Sequence, residues 1–234
     1  MKYSNFIFSI FLFFSQISVS QEKSGVIYYG HKIGEIAIDT SSIKNNGVKN
    51  VILNQYLQKK EILSGDVNVY KLIFDNNKSL FEPIKKLDND ANPSYVQAVP
   101  NDKYYTDLVK KEILKITNFS GKDFIVEQNN NLVWNITKRE KYINDFKCYM
   151  ATVIIENGIG VKTKVTAWFT KEILLNLGPR EYSGLPGLIM ELQLRENVYY
   201  FKDIKFENLS VNDNFKGKRL SNKSYQELFK NIDF

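Results

Sequence analysis

The chain has 234 residues, with 32 Lys or Arg against 26 Asp or Glu, one His and one Cys. A single thiol excludes an internal disulfide framework, and one His with one Cys, Cys148, cannot supply the closely spaced ligands of a zinc site. The net charge of +6 is scattered; only "FKGKRLSNKSY" gathers Lys216, Lys218, Arg219 and Lys223, so the one-sided basic face of a nucleic-acid binder is absent and no nucleic-acid partner is expected.

Residues 1–20 are set apart first. Lys2 precedes an apolar run from Phe6 to Phe14, and "SVS" places Ser18 and Ser20 at the −3 and −1 positions of a cleavage before Gln21. That is the layout of a secretory signal peptide. No later stretch reaches the roughly eighteen apolar residues of a spanning helix, so no transmembrane segment is expected after cleavage. Gln21 also stands where a lipid-anchored protein would need Cys. The expectation is an exported chain with residues 21–234 forming a single β-rich domain, long enough to bury its own core.

In chain order, "GVIYYG" (25–30) reads as a strand. Val48, Val51, Ile52, Tyr56 and Ile62 recur at three- and four-residue spacing, predicting a helix over about 46–62 that ends near Gly65. "VNVYKLIF" (67–74) is strand-like, rich in β-branched and aromatic residues. Pro93 and Pro100 mark a loop from about 85 to 104. Residues 104–119 fit a helix by Leu108, Lys111 and Glu112, and a strand by Ile113, Lys115, Thr117 and Phe119; the neighbouring strands favour strand.

Residues 123–128 and 132–139, around an Asn129–Asn131 turn, read as a hairpin, and so do 147–157 and 161–170 around "GIG". A third runs from Leu188 through the turn 195–197 to Phe206, with Leu188, Met190, Leu192 and Leu194 alternating against Glu191, Gln193 and Arg195. Near the end, "SYQELFKNI" predicts a short helix capped by Ser224 with Glu227 three residues on. The fold class is α+β, mainly antiparallel β: one curved, half-barrel-like sheet with one or two helices packed on it.

The densest punctuation is "GPREYSGLPGLIMEL" (178–192). Leu185-Pro186-Gly187-Leu188 predicts a type II turn, with Pro at the second position and Gly taking positive φ at the third. Gly184 offers a close backbone approach. As a folding device, the corner sets the register of the strand beginning at Leu188. As a functional device, it is an exposed loop showing Arg180, Glu181 and Tyr182 to a partner. Gly and Pro have sufficient backbone reasons there, whereas Arg180 and Tyr182 do not, so these two are the candidate partner surface.

"GLPGLI" (Gly184, Leu185, Pro186, Gly187, Leu188, Ile189) resembles the signature of the GLPGLI family of exported Bacteroidota proteins. The likeness extends through Trp134, Cys148 and Ala151, Ala167-Trp168 with its following aromatic, and Gly178-Pro179, over about 130–195. The resemblance implies a periplasmic or outer-membrane-associated location, with genes that neighbour those of TonB-dependent outer-membrane transporters. It implies no reaction.

Catalytic residues are hard to assemble. His31 and Cys148 are the sole Cys–His candidates, and Cys148 lies in a strand pattern where a thiol behaves as a small buried hydrophobe. Asp88 and Asp90 lack the glycine and terminal Glu of a calcium loop. Paired carboxylates need only meet in space. No catalytic residue, metal or cofactor is therefore assigned. Trp168 falls on the sheet face opposite Val165, Ala167 and Phe169, where it either packs plainly or lines a groove for a lipid, peptide or partner strand. The function expected is a non-enzymatic binding or accessory module linked to an outer-membrane transporter. The alternatives are a periplasmic carrier of an apolar ligand and a hydrolase of unrecognised type.

Overall fold

A computed structural model describes residues 24–34, 45–64, 70–84, 99–128, 131–156, 160 and 162–228. Residues 1–20, most of the 85–104 loop with Asp88 and Asp90, and Gly65 lie outside the described residues. Twelve strands form one open, curved sheet: β1 Ser24–Ile33, β2 Tyr70–Asp75, β3 Lys78–Pro83, β4 Lys103–Asp107, β5 Glu112–Phe119, β6 Lys122–Glu127, β7 Asn135–Ile143, β8 Phe146–Glu156, β9 Lys162–Thr170, β10 Leu188–Leu194, β11 Asn197–Phe206 and β12 Lys218–Ser221. Among the described residues there are also two helices, α1 Asn46–Ile62 and α2 Asn222–Glu227. The strand order is β12-β6-β5-β4-β3-β2-β1-β11-β10-β9-β8-β7, antiparallel except where β12 runs parallel to β6. The mainly antiparallel α+β expectation holds.

Tight turns account for much of this topology. Ser120-Gly121 between β5 and β6, and Asn144-Asp145 between β7 and β8, hold both central residues at positive φ, the hairpin geometry whose twist matches that of the strands. The 104–119 segment resolves into β4 and β5, joined at Lys111 with φ 53°. The predicted hairpin of 123–128 with 132–139 does not form: β6 pairs with β5 and β12, and β7 pairs with β8 at the far end of the order. Period-two alternation identifies a strand but not its neighbour, and the Ser120-Gly121 turn ties β6 to β5.

Alternation places two apolar layers. The inner face buries Ile27, Tyr29, Leu72, Phe81, Ala167 and Leu192, and the 171–187 segment lies across it, adding Leu177, Tyr182 and Leu185 to the same cluster. On the outer face of β2–β6, Leu80, Tyr105, Leu114 and Ile125 are covered by Val211 and Phe215 of the connection from β11 to β12. That connection delivers an edge strand on which Arg219 bridges Glu112 (2.6 Å) and Glu127 (2.7 Å).

Helix α1 starts where Asn45 accepts from the backbone N–H groups of Gly47 and Val48, a side-chain N-cap. It buries none of its residues fully and leans on the core through Tyr56 and Ile62. The cap of α2 is Ser221, which accepts from Ser224 N. The capping pattern therefore begins three residues before the predicted Ser224, because Ser221 ends β12 with an extended backbone and Ser224 is already helical.

Candidate functional site

The sheet curls far enough for its two ends to share one cavity of about 900 Å³. Gln128, beyond β6, and Asn222 and Gln226, on α2, come from one end. Asn135 on β7 and Thr152 on β8 come from the other. The 171–187 segment supplies Arg180, Glu181 and Tyr182 to the lining.

Local chemistry fixes that segment. Pro186 sits in a tight turn in which Gly187 N donates to Leu185 O at 2.8 Å, while Leu188 N donates to Ile173 O at 3.1 Å. A bond spanning three residues is a γ-turn, so the type II turn expected from Pro-Gly is not what forms: the donor at Leu188 is drawn to Ile173. Gly187 has φ 143° and a Cβ there would lie 1.9 Å from Thr170 O. Gly184 has φ 85° with open space around it, so it serves by conformation and not by close approach. The close approach belongs to Gly178, where a Cβ would meet Ile189 at 2.6 Å.

The residues carrying the family resemblance converge on this segment. Trp134 Nε1 donates to Ser183 O at 3.0 Å and its ring meets Tyr182 edge-on. Ala151 pairs with Ala167 across β8 and β9, Cys148 and Leu188 both pair with Thr170, and Ile189 pairs with Phe169. Tyr182 N donates to Pro179 O at 3.3 Å, and Tyr29 Oη reaches Ile189 O at 2.8 Å. Trp168 takes the opposite face, half-buried beneath Lys141 Nζ at 4.6 Å, with Lys141 also bound to Glu191 at 2.8 Å.

Tyr182 does not face solvent: it is 1% exposed. Arg180 and Glu181 are largely covered, with side-chain exposures of 23% and 17%. Arg180 holds φ 59°, a left-handed conformation costly for a residue with a Cβ. Its guanidinium stacks on the Tyr104 ring at 5.0 Å, donates to Tyr104 Oη at 2.7 Å and pairs with Glu181 at 3.1 Å. Burial alone would lower the Arg180 pKa, but Glu181 and the surrounding tyrosines outweigh it and hold it above the usual range. Burial first, and Glu181 second, push the Tyr182 hydroxyl up, and that hydroxyl has no partner in hydrogen-bonding geometry.

Behind Arg180 lies an aromatic wall of Tyr104, Tyr70, Phe81 and Tyr199 around a small recess of about 50 Å³. His31 stacks on Tyr199 at 4.8 Å, and its Nε2 lies 3.0 Å from Asn197 Oδ1. Burial lowers its pKa to about 4; the Asn197 contact opposes that shift, and the Lys59 and Arg180 charges reinforce it. Burial raises the Cys148 thiol to about 11. The imidazole is thus a neutral packing element at neutral pH and the thiol stays protonated, so neither is poised for nucleophilic chemistry. Among the described residues, no group of three or more His, Cys, Asp or Glu could hold a metal ion. Gln128, Asn197, Asn222 and Gln226 gave no sign in the sequence, being isolated polar residues far apart in the chain.

Over residues 156–191 the chain matches a family model described as "Protein of unknown function (Porph_ging)", a span that includes Ala167, Trp168, Gly178, Pro179 and Gly184–Ile189. No curated protein matches it in sequence. In fold it is similar to PNGF-II in two crystal forms. The P21 form shares 13% identity with a TM-score of 0.54, and the C2 form 12% with 0.52; each match covers 89% of this chain and 33% of PNGF-II. The chain spans about a third of PNGF-II's length, and at this identity the likeness concerns the fold alone.

Proposed function

We propose that the protein is a non-enzymatic ligand-binding module of the GLPGLI type, exported and serving as an accessory to an outer-membrane transporter, with its ligand seated in the cavity between the sheet ends. The observation that carries the binding role is the cavity itself: about 900 Å³, lined by Arg180, Glu181 and the carboxamides of Gln128, Asn222 and Gln226. A concave site with a few convergent polar groups is what small-ligand binding requires. The envelope location rests on the leader at 1–20 and on the resemblance through Gly184–Ile189. The carrier version with an apolar cargo fits less well, because a hydrocarbon ligand would strip water from Arg180, Glu181 and several carboxamides without replacing their hydrogen bonds.

The test is affinity capture of the tagged protein from its native envelope, followed by native mass spectrometry. Recovery with a bound small molecule or peptide, or with a transporter, supports the module. Recovery as a bare chain, together with turnover of a chromogenic ester or glycoside, overturns it in favour of a hydrolase.

A further inference from the structure

We infer that the ligand is a short uncharged peptide held in extended form, its backbone amides facing the carboxamides of one cavity wall and its side chains facing an apolar wall; this rests on the binding-module reading. The carboxamide wall is a connected chain. Gln226 Nε2 donates to Asn222 Oδ1 at 2.9 Å, Asn222 Nδ2 donates to Gln128 Oε1 at 3.3 Å, and Gln128 Nε2 donates to Val126 O at 3.0 Å. Each carboxamide carries two N–H donors and an oxygen with two lone pairs, so these bonds leave donors and acceptors alternating along the wall. A peptide backbone presents the complementary alternation.

The other sheet end contributes Leu132, Val133, Val153 and Ile155 to the same cavity, and β10 adds Leu194. Val133 is 84% exposed, an open apolar contact for a ligand side chain. Along an extended chain successive side chains point to opposite faces, which suits a site that is apolar on one wall and hydrogen-bonding on the other.

On the floor, Arg180 is paired internally with Glu181, so a neutral ligand fits better than a carboxylate that Glu181 would repel. Among the described lining residues the charges nearly balance, with Arg180 and Arg195 against Glu156, Glu181 and Glu196. A sugar would seek an open aromatic face, and Tyr182, the one ring among those residues, is 1% exposed.

The experiment uses the full chain, a pool of N-acetylated, C-amidated pentapeptides built from Ala, Val, Ser, Asn and Tyr, and two comparison probes, chitotriose and palmitate. Retention is read by native mass spectrometry, and affinity of retained peptides by titration calorimetry. The expected result is retention of capped peptides, with Gln226→Ala weakening them about tenfold, the scale of one lost hydrogen bond with its partner left unpaired. Val133→Asp should weaken binding by a similar factor while the free protein melts no lower, because that side chain is 84% exposed in the unliganded fold; a purely structural valine would not separate those readouts. Peptide retention unaffected by either variant overturns the site. Retention of chitotriose or palmitate in place of peptide overturns the ligand class and leaves the binding module standing. Retention of none of the three probes overturns the peptide, and a bare chain in the envelope capture then removes the module as well.

Discussion

Two glycines of the punctuated stretch have separable physical reasons, and the difference is measurable. At Gly187 a Cβ would strike the Thr170 carbonyl at 1.9 Å and φ is 143°, so steric overlap with backbone adds to conformational strain. Gly187→Ala should cost about 3 kcal/mol or more. At Gly184 the strain acts alone, with φ 85° and open space, and Gly184→Ala should cost about 1 kcal/mol. Urea unfolding of the two variants checks the order; equal losses would show that Thr170 yields. His31 gives a pH test. Its folded pKa, about 4, lies below the unfolded value near 6.5. The unfolded chain therefore binds the proton first as pH falls, and the neutral imidazole's contribution is complete above about 6.5 and lost progressively down to about 4, by up to about 3 kcal/mol. Comparing unfolding at pH 7.5 and pH 4.5, His31→Gln should lose less stability than the parent. An identical loss would mean that carboxylates alone set the slope.

At the level of elements, the 171–187 segment is best described as a plug laid on the inner face and pinned by one ion pair in an aromatic setting. Arg180→Met leaves Glu181 largely buried without its counter-charge and should cost about 3 kcal/mol, whereas Arg180→Met with Glu181→Gln should cost less than the sum of the two single changes. A double-mutant cycle by urea unfolding measures that coupling; additive losses would mean that the 3.1 Å contact carries no net attraction. The sequence made the strands around this plug legible because their periods are local: β8 with β9, β10 with β11 and helix α1 fall where alternation and spacing put them. It misassigned one pairing, since β6 and β7 are close in sequence and lie toward opposite ends of the sheet. The site was half legible. Arg180 and Tyr182 stood out as residues that a turn does not need, yet Tyr104, Tyr199 and Asn197 joined them through strand order alone. Tyr182 proved buried because the plug is covered on its sheet side by Trp134 and the core, a contact between segments far apart in the chain that no local pattern encodes.

At the scale of the molecule, the two faces of the sheet are coupled through one chain segment. Strand β11 lies mid-sheet, and the chain leaves it to cross the outer face before forming β12 at the edge. On the way, Val211 and Phe215 pack on Tyr105 and its neighbours, with the Phe215 and Tyr105 rings edge-on at 5.5 Å. Beyond Phe215 the chain forms a four-residue strand and a six-residue helix, neither long enough to be stable by itself. Their position therefore depends on that outer anchor, together with the Arg219 bridges and the β6 ladder, and α2 carries Asn222 and Gln226 into the inner cavity. Phe215→Ala should loosen 218–228 by about 2 kcal/mol of local stability while leaving the β1–β11 core unchanged. Hydrogen exchange resolves the two regions: amides of β12 and α2 should exchange about thirtyfold faster, the equivalent of that energy, with those of Ile27, Tyr29 and Phe201 unaffected. Uniform acceleration across both regions would show instead that the outer cluster stabilises the sheet as a whole, and the cavity wall would then have no independent hinge.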